Sequence, residues 1–301
     1  MNDLKKKEAA AIAALKTFEP EEGYYLCYSG GKDSDAIRIL AQLAGVKHDI
    51  VHNLTTVDAP ETVKYIKSIP NVIINKARYK DGRHKTMWNL ILSRGMPPLR
   101  QQRYCCEELK EQGGKGRLKI TGVRAAESKQ RSENGGEIKI IGKPKTTEKY
   151  LLKNNVNFEK TPKGGIVLNF DNADSRRSVE HCYRTTSTMI NPILSWSEND
   201  VWEFLKFYNC KSNPLYQCGR RRIGCIGCPL QNKKGMRRDF SNYPKYYYNY
   251  IRTFDKLVKL LNGKGLNPRW KSGEEVMRWW VSDIKEIWGQ QLFEGFSLLD
   301  V

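Results

Sequence analysis

The chain predicts an α/β fold, a parallel sheet covered by helices on both faces. Three observations carry this. Short β-prone runs alternate with helical runs from Tyr24 to about Val123, the helical runs place apolar residues at helical spacing, and glycines or prolines punctuate the joins. Parallel neighbours in a sheet need crossover connections, and those helices bury both faces.

The elements follow in order. Residues 4 to about 18 have helical composition, and "YYLCYS" is a β-prone run ending at Gly30 and Gly31. "SDAIRILAQLAG" is an amphipathic helix closed by Gly45, so this stretch reads as strand, tight loop, helix. "HDIVHNL" is a second strand, "PETVKYIKSI" a helix opened by Pro60, "NVIIN" a third strand, and "HKTMWNLILSRG" a helix ended by Gly95. A helix carries "CCEELKEQ", and "RLKITGV" is a further strand. From Glu133 to about Thr188 the alternation fails: glycines, asparagines and lysines interrupt short β-like pieces such as "EIKIIG" and "GGIVLNF". This is read as an insertion or loop-rich subdomain. "SENDVWEFLKFY" is a helix capped by Ser197, and Tyr243 to Trp288 is helical and aromatic, with Trp279 and Trp280 packing as core. There is no internal repeat.

The chain of 301 residues is long enough for one large domain or two modest ones. It has no run of roughly 18 apolar residues and no signal-peptide pattern at the N-terminus, so a soluble, cytoplasmic protein is expected. Fifty-two Lys and Arg against 33 Asp and Glu leave a charge of +19, a field that attracts polyanions. From Lys129 to Asp239 there are 21 basic and 11 acidic residues, which makes that region the expected polyanion face. Eight cysteines in a cytoplasmic chain point away from a disulfide framework and toward metal or thiol chemistry.

"SGGKDS", from Ser29 to Ser34, lies after a strand and before a helix. A loop so placed offers backbone N–H groups and the positive end of a helix to phosphate oxygens, and glycine lets the backbone approach closely. The motif is neither the P-loop signature nor a dinucleotide fingerprint. "RYCCEELK" holds Cys105 and Cys106, and "CGRRRIGCIGCP" holds Cys218, Cys225 and Cys228. Thiolates at this spacing suit an iron-sulfur cluster or zinc; a thioredoxin-like redox pair fits less well, because Cys225 and Cys228 lie far beyond the first βαβ units.

"SGGKDS" resembles the PP-loop of the ATP pyrophosphatase superfamily, whose members cleave ATP between its α and β phosphates. With "PET", "RYCCEELK", "GVRAAES", Arg131, "NPILSWSENDVW" and "NPLYQCGRRRIGCIGCP", the chain resembles the phosphoadenosine phosphosulfate reductase family from Tyr24 to Arg238. The resemblance implies an adenine nucleotide α-hydrolase-like fold. It implies that Ser29, Gly30, Gly31, Lys32, Asp33 and Ser34 hold the phosphates of ATP with Mg²⁺. It further implies that Arg124 and Arg131 meet anionic groups, with Lys32, Asp33 and Arg124 as the catalytic set. A [4Fe-4S] cluster on Cys105, Cys106, Cys225 and Cys228 is implied too, and Cys218 is an alternative to one of the adjacent pair. The expected organisation is a nucleotide-binding α/β core over 1–128, a basic insertion over 129–190, completion of the core over 191–240 and a helical region over 241–301.

In one respect the chain departs from the reductases, which use a cysteine in a Cys-Gly-Leu-His type motif near the C-terminus: no cysteine follows Cys228. Of the others, Cys27 lies in a strand, Cys210 matches no such motif, and Cys182 beside His181 is the remaining candidate thiol. The expected function is therefore that of an ATP-pyrophosphatase-type iron-sulfur sulfurtransferase resembling the component of DNA phosphorothioation systems. Its partners would be a nucleic acid, DNA ahead of RNA, and a cysteine desulfurase or other sulfur donor, with no membrane. The alternatives are a phosphoadenosine or adenosine phosphosulfate reductase and a non-catalytic nucleic-acid-binding iron-sulfur protein.

Overall fold

The computed structural model describes residues 2–141, 144–168, 179 and 187–282. Its strands are β1 Tyr24–Cys27, β2 His48–Asn53, β3 Val72–Asn75, β4 Lys119–Ile120, β5 Ile138–Ile141, β6 Phe158–Lys160, β7 Ile166–Leu168 and β8 Ser187–Ile190. Its α-helices are α1 Asn2–Thr17, α2 Lys32–Ala44, α3 Pro60–Ser68, α4 Met87–Arg94, α5 Tyr104–Leu109, α6 Lys129–Asn134, α7 Pro144–Lys153, α8 Glu198–Phe207, α9 Lys233–Asn242, α10 Pro244–Gly263 and α11 Gly273–Val281. The chain divides into two compact units. One comprises Met1–Asn53, Pro60–Asn75 and Gln112–Ile223, and the other Leu54–Ala59, Lys76–Glu111 and Gly224–Val301.

The first unit holds all eight strands in one sheet, ordered β3-β2-β1-β4-β8-β5-β7-β6. Strands β3, β2, β1, β4 and β8 are parallel, with Leu26 of β1 paired to Ile50 on one side and Ile120 on the other. The chain winds outward from β1 through β2 to β3 and then returns to the opposite side of β1 with β4. That reversal makes a topological switch point, where the loops leaving β1 and β4 diverge and open a crevice. The core includes Leu26, Ile37, Leu40, Ile120 and Ile190, all fully buried.

The five parallel strands form the sheet that the sequence pattern predicts, and antiparallel strands extend it. The region read as a loop-rich insertion adds β5 antiparallel to β8, then β7 and β6, with Ile138 opposite Ile190 and Ile140 opposite Ile166. Each of these strands is three or four residues long, too short to display a legible period of two. Cys182 and His181 lie outside the described residues.

The second unit has helices and no named strand among its described residues. Tyr250, Phe254 and Trp280 are fully buried and packed edge-on or tilted, with ring centroids 4.9 to 5.8 Å apart, and Trp280 Nε1 donates to the Pro98 carbonyl at 2.8 Å. Trp279 does not join this core. Successive helical residues point about 100° apart, so Trp279 turns outward, meets Trp270 at a 53° tilt with ring centroids 4.9 Å apart, and lies under Arg269. Trp288 is outside the described residues. No described helix is long and apolar enough to cross a membrane.

Candidate functional site

The loop after β1 is held by its own sequence. Gly30 has φ +71, and a Cβ there would lie 2.8 Å from Ile66, so glycine is required both for the backbone conformation and for the space. The Ser34 hydroxyl closes the turn: it accepts from the Gly31 N–H at 3.1 Å and donates to the Gly31 carbonyl at 2.7 Å, while Ser29 Oγ donates to Ser34 Oγ at 3.2 Å. The Lys32 N–H, at the N-terminus of α2, donates to the Tyr216 hydroxyl at 2.9 Å. An oxygen already occupies the direction in which a helix N-terminus would meet a phosphate.

Lys32 is 2 % exposed. Its ammonium lies 3.7 Å from Asp33 and 3.6 Å from Glu198, donates to the Arg221 carbonyl at 3.4 Å, and stands 6.0 and 5.6 Å from the ring centres of Trp202 and Tyr216. Its charge thus offsets two carboxylates at the loop. Asp33 also accepts from Arg124 Nε at 2.6 Å, and Arg124 is itself buried. This pair joins the loops leaving β1 and β4. Gly122 permits the approach, since a Cβ there would come within 3.0 Å of the Asp33 backbone.

Beyond Arg124 the cations are gathered by Glu127, which pairs with both Arg131 and Arg222. Burial and then the neighbouring Arg222 hold the Arg131 guanidinium below its ordinary value. The first unit therefore brings Lys32, Asp33, Arg124 and Arg131 together where the segments following β1 and β4 meet. Sequence pattern does not single out Tyr216, Glu127, Glu198 or Trp202. All four lie in stretches that carry the family resemblance, but only packing reveals their roles.

Asp35, one turn into α2, is fully buried. Tyr28 donates to its Oδ1 at 2.6 Å, while the Tyr65 hydroxyl is 3.0 Å from Oδ2 and 2.6 Å from the Lys211 carbonyl. One phenolic proton cannot serve both acceptors fully. A proton on Asp35 Oδ2 completes the chain by donating to Tyr65, which then donates to Lys211. Burial pushes the carboxyl up to about 6, against hydrogen bonds from Tyr28 and Tyr65 and the attraction of Arg38.

The stability consequence has a definite sign. The folded carboxyl keeps its proton to higher pH than the unfolded one, so the folded state binds more protons between the ordinary 3.8 and about 6. Stability is therefore greatest below that window and falls as pH rises through it, by about 3 kcal/mol in total from roughly two pK units. Asp35→Asn mimics the protonated group, and we expect it to flatten this dependence in urea unfolding at pH 4.5 and 7. A slope unchanged from wild type would exclude Asp35 as its source.

In the second unit, Cys105, Cys106, Cys225 and Cys228 line one small pocket with Thr55, Met87, Lys110 and Tyr250. Helix α5 presents the adjacent pair, and the loop before α9 presents Cys225 and Cys228, with Gly227 at φ +71 beneath the Phe240 ring. The hydrogen bond from Cys105 pushes the Cys106 thiol down to about 6, with help from Lys110 and Arg103. The same bond and burial push Cys105 up. Burial raises Cys225, opposed by Lys110. Among the described residues no three His, Cys, Asp or Glu side chains gather closely enough to hold a metal ion. The four thiols are nevertheless the soft donor set of the unit, and Cys218 is exposed and outside their pocket.

Comparison with known proteins decides the family. The model of the phosphoadenosine phosphosulfate reductase domain matches residues 23–231. The chain belongs to this family. As a phosphoadenosine phosphosulfate reductase domain protein, it is 25% identical over 274 residues to an uncharacterised 37.8 kDa protein of Escherichia phage 186, covering 83% of this chain and 79% of that one. It is 22% identical over 290 residues to an uncharacterised protein of Methanocaldococcus jannaschii, covering 91% of this chain but 60% of that protein. A shorter likeness, 44% over 39 residues, relates it to the adenosine 5'-phosphosulfate reductase of Allochromatium vinosum, with 13% of this chain and 15% of that enzyme covered. Among solved structures, the phosphoadenylyl-sulfate reductase of Candida auris is similar at 13% identity and a TM-score of 0.43, with 75% of this chain and 95% of that chain covered. The family's domain spans both the loop after β1 and the four pocket cysteines.

Proposed function

We propose that this family member is an ATP-pyrophosphatase-type sulfurtransferase that activates a nucleic-acid oxygen by adenylation for replacement with sulfur, in the manner of DNA phosphorothioation. The observation that carries the reading is the convergence of four cysteines from two distant segments on one pocket, in a chain that also holds the glycine loop at a sheet's switch point. A four-iron cluster takes each thiolate on a different iron, so its ligands need not converge on a single point as zinc ligands must. Cys105, Cys106, Cys225 and Cys228 would hold it. Were one of the four to give up its iron, the bound cluster would supply a site for sulfur there.

The chemistry of the first unit then follows. Oxygen bonded to phosphorus leaves poorly. The acceptor oxygen attacks the α-phosphorus of ATP, the bond to the β-phosphate bridging oxygen breaks, and pyrophosphate departs with the electron pair. The terminal sulfur of a persulfide from a cysteine desulfurase or similar donor next attacks the activated phosphorus and displaces AMP with the acceptor oxygen. A thiol reductant then cleaves the remaining S–S bond, leaving sulfur on the acceptor. Lys32 and the loop would receive the pyrophosphate with Mg²⁺ once the Tyr216 hydroxyl gives up the Lys32 N–H, and Arg124 and Arg131 would offset the charge that develops.

Two of the described thiols outside the pocket, Cys27 and Cys210, support this reading over a covalent reductase route. Burial pushes Cys27 up to about 11. Cys210 is raised by burial and by Asp35, and it lines a separate cavity with Arg38 and Tyr65. The short 44% likeness to adenosine 5'-phosphosulfate reductases favours the second reading, in which a sulfonucleotide is reduced to sulfite.

One experiment separates the two. Anaerobically purified protein is incubated with ATP, Mg²⁺, DNA, cysteine, a cysteine desulfurase and a thiol reductant, and in parallel with adenosine phosphosulfate or its 3'-phosphorylated form and the same reductant. We expect AMP, pyrophosphate and thiolated DNA in the first arm and no sulfite in the second. Rapid sulfite release without AMP formation from ATP would establish the reductase reading.

A further inference from the structure

Helix α10 carries an outward stripe formed by Lys245, Tyr248, Arg252, Lys256 and Lys259. Their spacing of three or four residues keeps them on one helical face over about 21 Å at 1.5 Å per residue. The opposite face, with Tyr250, Thr253, Phe254, Leu257 and Val258, is buried, so the helix cannot turn the stripe inward. Tyr248 is 60 % exposed between two of the cations.

The stripe is strongly and singly charged. From Pro244 to Lys264 there are five basic residues and one acidic one, Asp255, and Asp239 precedes the helix. Asp239 is buried, and Asp255 Oδ1 accepts from the Gly273 N–H at 2.6 Å. Among the described residues none of the four cations is paired with a carboxylate; Arg252 donates only to the neutral Asn249 side chain, at 2.8 Å.

Part of the region from Lys129 to Asp239, where the sequence concentrates its excess charge, is already paired. Arg131 and Arg222 share Glu127, Lys129 faces Glu133, and Lys160 is paired with Glu148 at 2.6 Å. Cations already neutralised release few counterions when a polyanion arrives, whereas unpaired ones on a straight face release one for each phosphate they meet. An exposed aromatic among them offers a flat surface for a base or sugar.

We infer that the Lys245–Lys259 face of α10 is the surface on which the phosphate backbone of a nucleic acid docks. This rests on the proposed nucleic-acid acceptor and assigns it a place on the protein. Lys245, Arg252, Lys256 and Lys259 contact phosphates, and Tyr248 packs on a base or sugar between them.

The test measures binding of the full chain to a fluorescein-labelled single strand and to its duplex, as a function of salt. Arg252→Glu/Lys256→Glu is expected to lose at least about tenfold in affinity and to lower the salt slope by about two, one unit per phosphate contact. Arg252→Gln/Lys256→Gln repeats the measurement without charge reversal, and circular dichroism checks that both variants are folded. Lys149→Glu/Lys153→Glu, on the exposed face of α7, is expected to change affinity less than about threefold. Equal binding by wild type and both α10 variants, or a larger loss in the α7 variant, overturns the surface while leaving the acceptor proposal standing. If wild type binds neither strand at low salt, the acceptor proposal itself fails and the surface fails with it.

Discussion

Anaerobically purified Cys225→Ser is expected to retain little iron and acid-labile sulfide and to lose visible absorbance, while Cys218→Ser keeps both. Cys225 is buried in the pocket that also holds Cys105, Cys106 and Cys228, with Thr55 Oγ1 3.4 Å from its sulfur. Serine is close in size but does not ionise near neutral pH and is a hard donor, so one soft ligand of four is lost. Even changes outside a metal's immediate ligands cost about tenfold to a hundredfold in affinity, and loss of a ligand is expected to cost at least that. Cys218 lies outside the pocket and is exposed, so its replacement separates the two ligand choices left open by spacing alone. Stoichiometric zinc with no iron in the wild-type protein, or full iron content in Cys225→Ser, would sink the assignment.

Asp33→Asn is the second large effect, and it acts on stability. Arg124 is only 4 % exposed, and its Nε donates to Asp33 Oδ1 at 2.6 Å. Breaking a buried pair from one side leaves an uncompensated charge, at a cost of about 3 to 5 kcal/mol. The Asp33 side chain is 22% exposed, so solvent screens part of the interaction and the lower end of that range is expected. Lys32 keeps Glu198 and the Arg221 carbonyl, which limits the damage at the loop. Adding Arg124→Met should recover part of the loss, because the stranded cation is then removed. Urea unfolding of wild type, both single variants and the double variant measures the coupling. If the double variant is as unstable as the sum of the singles, the pair is not a coupled buried ion pair.

Much of this site is legible in the order of amino acids. "SGGKDS" declares itself because its strand, loop and helix are contiguous, and the backbone needs of Gly30 and the turn made by Ser34 are local. The two cysteine pairs are visible through residue type and spacing. Other features are not legible, for identifiable reasons. The Tyr216 hydroxyl accepts from the Lys32 N–H across 184 residues of chain, and no periodicity encodes such a contact. Glu127 looks like an ordinary solvated carboxylate in "GVRAAES" until Arg131 and Arg222 fold against it. The three short antiparallel strands escape a reading by pattern because each buries its apolar residues only once β8 lies beside β5.

What the amino-acid order determined by itself was everything that depends on neighbours within about one turn or one strand: the parallel winding of β1, β2 and β3, the glycine loop, the cap at Ser197, the pairing of cysteines and the overall positive charge. Tertiary structure alone decided which charges remain available. Among the lysines and arginines of the middle of the chain, Lys129, Arg131, Lys160 and Arg222 are drawn into ion pairs with Glu127, Glu133 and Glu148, while Lys245, Arg252, Lys256 and Lys259 on α10 face outward without a carboxylate. Net charge adds up along a sequence. The field a polyanion meets depends on which opposite charges lie within a few ångströms, and that distance exists only in the folded protein.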